Sequence, residues 1–356
     1  MSAVPQVSPK TERVAEFAVE RANLYRRMDQ HNLAPLWEVL HALVPLEPQT
    51  PCVPAFWKYR DARPYVMESG TLITAKEAIR RVIILENPGM RGKSCITNSL
   101  YCGLQLILPG EIAPSHRHTQ SALRFIVEGA GSYTAVDGER TTMHPGDFII
   151  TPSWTWHDHG NPGSEPVVWM DGLDIQILQL FGAQFSENFS QDVQPVTKPE
   201  GDSYNRFGHN LAPLDCMPGG KTSPIFSYPY ARSRETLDTL SGSQDPDPCH
   251  GWKMQFINPL TGGYAMPTIA SFIQLLPKEF RSSAYRSTDG TIWSVVEGRG
   301  TVKIGAESYA FEPRDTFVAP PWHPVRFETA GEKCVLFSFS DRPAQVALGL
   351  WREQRG

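Results

Sequence analysis

Apolar residues recur at three- and four-residue intervals over residues 11 to 45, where Val14, Phe17, Ala18, Ala22 and Tyr25 mark one helix and PLWEVLHAL from Pro35 a second. Pro35 suits the first turn of that second helix, where no intrahelical bond needs its missing N–H. Such stripes make packing surface, on the body of the protein or on another subunit. From about Ser99 the texture changes to short runs, CGLQLILP, LRFIVEG, GSYTAV and DFIITP, separated by Gly, Pro, Asp and Asn. Runs of this length, rich in Ile, Val, Phe and Tyr, predict an antiparallel sandwich or barrel.

The pattern recurs. LILPGEIAPSHRHTQSALRFIVEGAGSYTAVDG, ending at Gly138, matches LLPKEFRSSAYRSTDGTIWSVVEGRGTVKIG, ending at Gly305, and PGDFIITPSWTW at Pro145 matches PRDTFVAPPWHP at Pro313. Two copies of one β fold are therefore expected. The predicted layout is an N-terminal helical and extended segment over 1–95, a first barrel over 96–175, a mostly irregular linker with loops over 176–255, a second barrel over 256–345 and a tail over 346–356.

Composition narrows the function. With 33 Lys and Arg against 38 Asp and Glu, the net charge of −5 offers neither nucleic acid nor an anionic membrane a basic face. No stretch has the roughly 18 consecutive apolar residues of a membrane span, and MSAVPQVSPKTERVAEF lacks the apolar core of a signal peptide, so a cytoplasmic protein is expected. The cysteines, Cys52, Cys95, Cys102, Cys216, Cys249 and Cys334, form no CxxC pair and predict reduced, buried thiols.

Five of the ten histidines, His116, His118, His144, His157 and His159, fall within one 44-residue stretch of the first copy. On a strand, His116 and His118 leave the same face, as two ligands of one ion must. Spacing alone leaves them either ligands or surface residues. The surrounding residues resemble the cupin superfamily. Gly110, five residues and the His116–His118 pair match its first motif, while Gly146, Pro152, His157 and Asn161 match its second, with Trp154 in place of the inner Gly. The resemblance implies a bicupin, two tandem double-stranded β-helix barrels with N-terminal helices, and makes His157 the third ligand. The cupin glutamate is missing, because Ser121, Ala122 and Leu123 occupy the positions near which it should fall. Three neutral imidazoles leave a divalent ion its full charge and open positions, which favours an anionic chelating substrate. The second copy has Tyr285, Ser287 and Val325 at the ligand positions and cannot build this site; His323 there is read as a loop histidine.

Over most of its length the chain also resembles gentisate 1,2-dioxygenases, through APLW at Ala34, ENPGM at Glu86, YCGLQLILPGEIAPSHRHTQSALRFIVEG, WMDGLD at Trp169, SPIFSYPYARSRETL at Ser223 and NPLTGGYAMPTIASF at Asn258. The resemblance implies Fe(II), a small aromatic hydroxy-acid substrate, O2 and a homotetramer. The implied reaction takes gentisate and O2 to maleylpyruvate, with salicylate, substituted salicylate or 1-hydroxy-2-naphthoate as alternative substrates. A non-catalytic ligand-binding bicupin and a metal-dependent isomerase are the readings from other classes.

Further site residues are expected around the metal. Arg124, six residues beyond His118, shares its face if the strand is unbroken and can pair with a substrate carboxylate. Gln105 in the family faces the pocket, and His159 can act on the ring hydroxyl or on oxygen. Of Arg80 and Arg81 only one can face inward from a strand, and the resemblance favours Arg80. Asp171 is expected to orient a histidine or an arginine, and Tyr101 to form an aromatic wall. His144 lies in a turn and is given no role.

Overall fold

The computed structural model describes residues 9–215 and 220–356, with side chains from Phe17 onward; Val14 of the first apolar stripe, the start of the chain and Cys216 fall outside what it describes. The chain divides into two compact units, residues 1–49 and residues 50–356. In the first, helices Pro9–Asp29 and Leu36–Leu43 are joined by a short turn, with Pro35 as N-cap rather than inside the helix. Trp37 donates to the Tyr25 hydroxyl at 2.7 Å, which in turn donates to Glu38. No residue of Leu36–Leu43 is buried.

The second unit holds two antiparallel barrels, each a six-stranded and a five-stranded sheet. In the first barrel, Ala122–Glu128, Val167–Leu173 and Tyr101–Ile107 form the centre of the larger sheet, and Ile112–His118, His157–Gly160 and Tyr133–Val136 that of the smaller. In the second barrel, Thr291–Glu297, Cys334–Ser340 and Ala270–Leu276 repeat the central order of the larger sheet. Phe125 of one barrel stacks on Phe337 of the other with centroids 4.2 Å apart, so the main apolar core lies between the barrels.

The repeat reaches further than the barrels. Strand Ala55–Trp57, ahead of the first barrel, pairs with Thr316–Ala319 of the second. Strand Ser227–Tyr228, ahead of the second, pairs with Phe148–Thr151 of the first. Each arm then enters a 14-residue helix, Tyr59–Leu72 or Tyr230–Ser243. The Tyr59 N–H donates to Asp315 and the Tyr230 N–H to Asp147, both at 2.8 Å, so each recurring Asp satisfies an open helix N-terminus of the exchanged arm.

The structure adds three features to the expected layout. The segment 176–255, irregular over more than half of its length, also carries the second arm, helix Tyr230–Ser243 and helix Asp202–Phe207. Helix Tyr59–Leu72 also lies outside the expected helical stretch. Both arm helices are rich in Ser, Thr, Gly or Pro and bury only Leu237 in one and Tyr59 and Val66 in the other, so no stripe announces them. Finally, the tail contains a strand: Glu353–Arg355 pairs with Tyr285–Ser287 of the second barrel.

Candidate active site

Pro114 cannot donate to a ladder, and the strand Ile112–His118 breaks register between Ala113 and His116. After this bulge, His116 sits opposite His157 on the neighbouring strand. Strand alternation brings His118 to the same face, and the ring centroids of the three lie 4.4, 4.8 and 5.3 Å apart. One nitrogen from each falls within 4.8 Å of the others. Nδ1 of His118 meets Gln120 O at 2.9 Å, that of His157 meets Thr155 O at 3.0 Å and that of His116 meets Pro114 O at 3.3 Å. In His118 and His157 a proton held on Nδ1 by the carbonyl leaves the Nε2 lone pair for an ion. The buried Nε2 of His157 has no hydrogen-bond partner, as the fit to a metal requires. Burial, reinforced by neighbouring cations, pushes His116 down to about 3 and His118 to about 4, so all three rings are neutral.

The departure at Trp154 is explained here. Its φ of +64° is the left-handed conformation that the motif glycine normally supplies, and Trp322 repeats it at +65° in the second copy. Trp154 is held there by its N–H to His118 O at 2.8 Å, by Phe185 at 4.5 Å and by the Arg117 guanidinium at 4.5 Å.

The triad opens into a cavity of about 250 Å³, also lined by Arg80, Tyr101, Gln105, Arg124 and Asp171. Of the larger hollows, one of about 640 Å³ against Phe17, Arg21 and Trp37 gathers no such converging groups, whereas one of about 660 Å³ shares Arg80, His116 and His118 with this cavity. Arg124 and Asp171 face each other on adjacent strands, with Nε 3.6 Å from Oδ1. Arg124 also donates to Thr151, and Asp171 accepts from Trp169 Nε1 at 3.0 Å. Arg80 donates to Pro114 O at 3.0 Å and lies 2.7 Å from His116 Nδ1. Burial, with Arg124 nearby, lowers Arg80 to about 9. Burial raises Asp171 to about 6 against the pull of Arg124. Two guanidiniums against one carboxylate leave the cavity with surplus positive charge before any metal enters.

Two expected residues fall elsewhere. Arg81 points away from the cavity: its guanidinium pairs with Glu111 and donates to Ile73 O at 2.8 Å, on the side opposite to Arg80. Ile79, just before Arg80, takes φ +58°. His159 is fully buried behind the triad, with Nδ1 3.0 Å from Thr134 Oγ1 and its ring beside Trp169, and does not line the cavity wall. His144 stays at the surface, 3.5 Å from Asp147. The apolar walls Val82, Ala122, Leu173 and Ile175 were not anticipated, since an aliphatic residue carries no chemical signal in a sequence.

A family model described as a cupin domain matches residues 103–175. The chain is 57% identical to gentisate 1,2 dioxygenase 1 of Aquipseudomonas alcaligenes, over 94% of this chain and 96% of that one. The chain belongs to the gentisate 1,2-dioxygenase family. It is 35% identical to the Streptomyces gentisate 1,2-dioxygenase, over 94% of this chain and 95% of that one. Salicylate 1,2-dioxygenase from Pseudoaminobacter salicylatoxidans, solved with gentisate, superimposes with a TM-score of 0.89 at 31% identity, covering 99% of this chain and 96% of that one. Among the described residues no helix is long and apolar enough to cross a membrane, and the five cysteines described are free and buried.

Proposed function

We propose that the chain is an Fe(II)-dependent dioxygenase that cleaves gentisate between its carboxyl-bearing and hydroxyl-bearing carbons to give maleylpyruvate. The observation that carries this reading is a carboxylate-free cluster of three neutral imidazoles beside the Arg80, Arg124 and Asp171 charges. His116, His118 and His157 hold the metal. Ferrous iron bound there supplies positions for a chelating hydroxy-carboxylate and for O2, and an electron path between them.

The remaining steps belong to the protein. Arg80 and Arg124 bind the substrate carboxylate and offset its charge in a buried setting. Asp171 keeps Arg124 aimed into the cavity and limits the positive charge that the empty pocket must bear. Gln105, on the strand between Val82 and Trp169, hydrogen-bonds a polar ring substituent, and Tyr101 walls the ring. His159 braces the triad from behind, through Thr134 and Trp169. Both oxygen atoms enter the product, so the reaction balances with no external reductant.

A cytoplasmic homotetramer completes the reading, with the exposed Leu36, Trp37, Leu40 and Leu43 as contact surface. Light scattering of the full chain tests that assembly. Oxygen uptake by iron-reconstituted protein across gentisate, salicylate, a substituted salicylate and 1-hydroxy-2-naphthoate tests the activity. Uptake with gentisate and iron, and none with zinc, supports it; activity on salicylate with none on gentisate overturns the substrate assignment.

A further inference from the structure

The second barrel keeps a group of buried charges that the reaction does not use. Strand register shows which residues correspond. Gln105 pairs with Val82 in the first barrel and Gln274 with Lys253 in the second, so Lys253 stands where Val82 lines the first cavity. Arg342 follows the helix N-cap Asp341 as Ile175, another lining residue, follows Asp174. Ser338 lies between Phe272 and Trp293 as Asp171 lies between Gly103 and Arg124.

The charges are unevenly paired. Asp289, 2% exposed, meets Arg342 Nε at 3.1 Å and accepts from Trp351 Nε1 at 2.9 Å, so that anion is already neutralised. The Lys253 ammonium lies 4.6 Å from the Phe272 ring centroid, whose other cationic neighbour is Arg342 at 5.1 Å. Among the described residues Lys253 has no ion pair and no hydrogen bond. Burial, with Arg342 close by, lowers it to about 7. The Ser338 hydroxyl is fully buried and also unpartnered. A half-buried ammonium without an ion pair and a fully buried hydroxyl without a partner, on the side of the barrel that holds substrate in the other copy, suit a ligand.

Its chemistry follows from the walls. Phe272 and Trp293, each 5% exposed, fill the depth that Gly103 and Arg124 leave open in the first barrel, so the ligand is small. Among the described residues of this group only Lys253 is an uncommitted cation, which suits a monoanion rather than a phosphate dianion. We propose that the second barrel binds a small organic carboxylate without a metal, with Lys253 as its counter-ion and Ser338 as a hydrogen-bond donor.

Competitive acetylation of the full-length protein by acetic anhydride at pH 7.5, read by peptide mass spectrometry, tests this with benzoate and acetate as probes and chloride at matched ionic strength as control. Lys253 is expected to react, and either carboxylate is expected to protect it about tenfold at roughly ten times its Kd. The same protection is expected in His118→Ala, which lacks the first site, and is expected to be lost in Ser338→Val. Failure of both carboxylates to protect, a Lys253 that never reacts, or protection that vanishes with His118→Ala would each overturn the proposal.

Discussion

Arg124 and Asp171 stand opposite each other in register on two adjacent strands, 3% and 4% exposed, with Nε 3.6 Å from Oδ1. The pair converts a buried guanidinium, costly alone, into an aimed one. Asp171→Asn keeps the shape but releases Arg124. It is expected to lower kcat/KM by about 10- to 100-fold, the range for groups that orient a site, while the metal content is unchanged. Steady-state kinetics beside iron analysis checks it, and wild-type kinetics would remove Asp171 from the mechanism.

The two neighbouring arginines separate by function. Arg80→Met is expected to raise KM for gentisate with little change in thermal midpoint. Arg81→Met leaves Glu111 without its partner and is expected to cost about 3 kcal/mol of stability, with KM unchanged. Paired melting and kinetic measurements decide, and a reversed pattern would contradict the placement of the two side chains.

Removing one imidazole tests the metal centre. His157→Ala is expected to lower iron affinity at least ~100-fold and to abolish turnover, with the barrel still folded by circular dichroism. Full iron occupancy in that variant would mean the ion is held elsewhere.

How far the chain can be read without coordinates depends on the kind of signal. His116, His118 and His157 were legible because alternation and motif spacing constrain direction, and the two barrels because long alternating runs repeat. The exchanged arms were not. Ala55–Trp57 and Ser227–Tyr228 are too short to show a period, and their partners lie about 260 and 80 residues away along the chain. Arg80 and Arg81 were separable in part, since alternation lets only one face inward and the resemblance favoured Arg80, which lines the cavity. His159 misled because alternation places it on the same face as His157, yet it lies deeper, in the layer with Trp169.

A pH dependence of stability follows from Asp174, 1% exposed, which accepts from Ser121 N–H at 2.9 Å and contacts Thr268 at 2.5 Å. Burial raises its carboxyl to about 6. The folded state therefore holds the proton more tightly than the unfolded chain, and the stability this adds is full below about pH 4 and lost as pH rises to about 6. Asp174→Asn imitates the protonated form. Its stability relative to wild type is expected to improve by about 1.4 kcal/mol between pH 5 and pH 7.5 in urea titrations. A constant difference across that range would show the carboxyl titrating normally.

An ion ligated by imidazoles alone, flanked by Arg80 and Arg124, is expected to take its substrate through a carboxylate. Oxygen consumption by the iron-loaded protein with gentisate, set against gentisate methyl ester, measures that directly. The account predicts one O2 taken up per gentisate and none with the uncharged ester, whereas comparable uptake with both would contradict it.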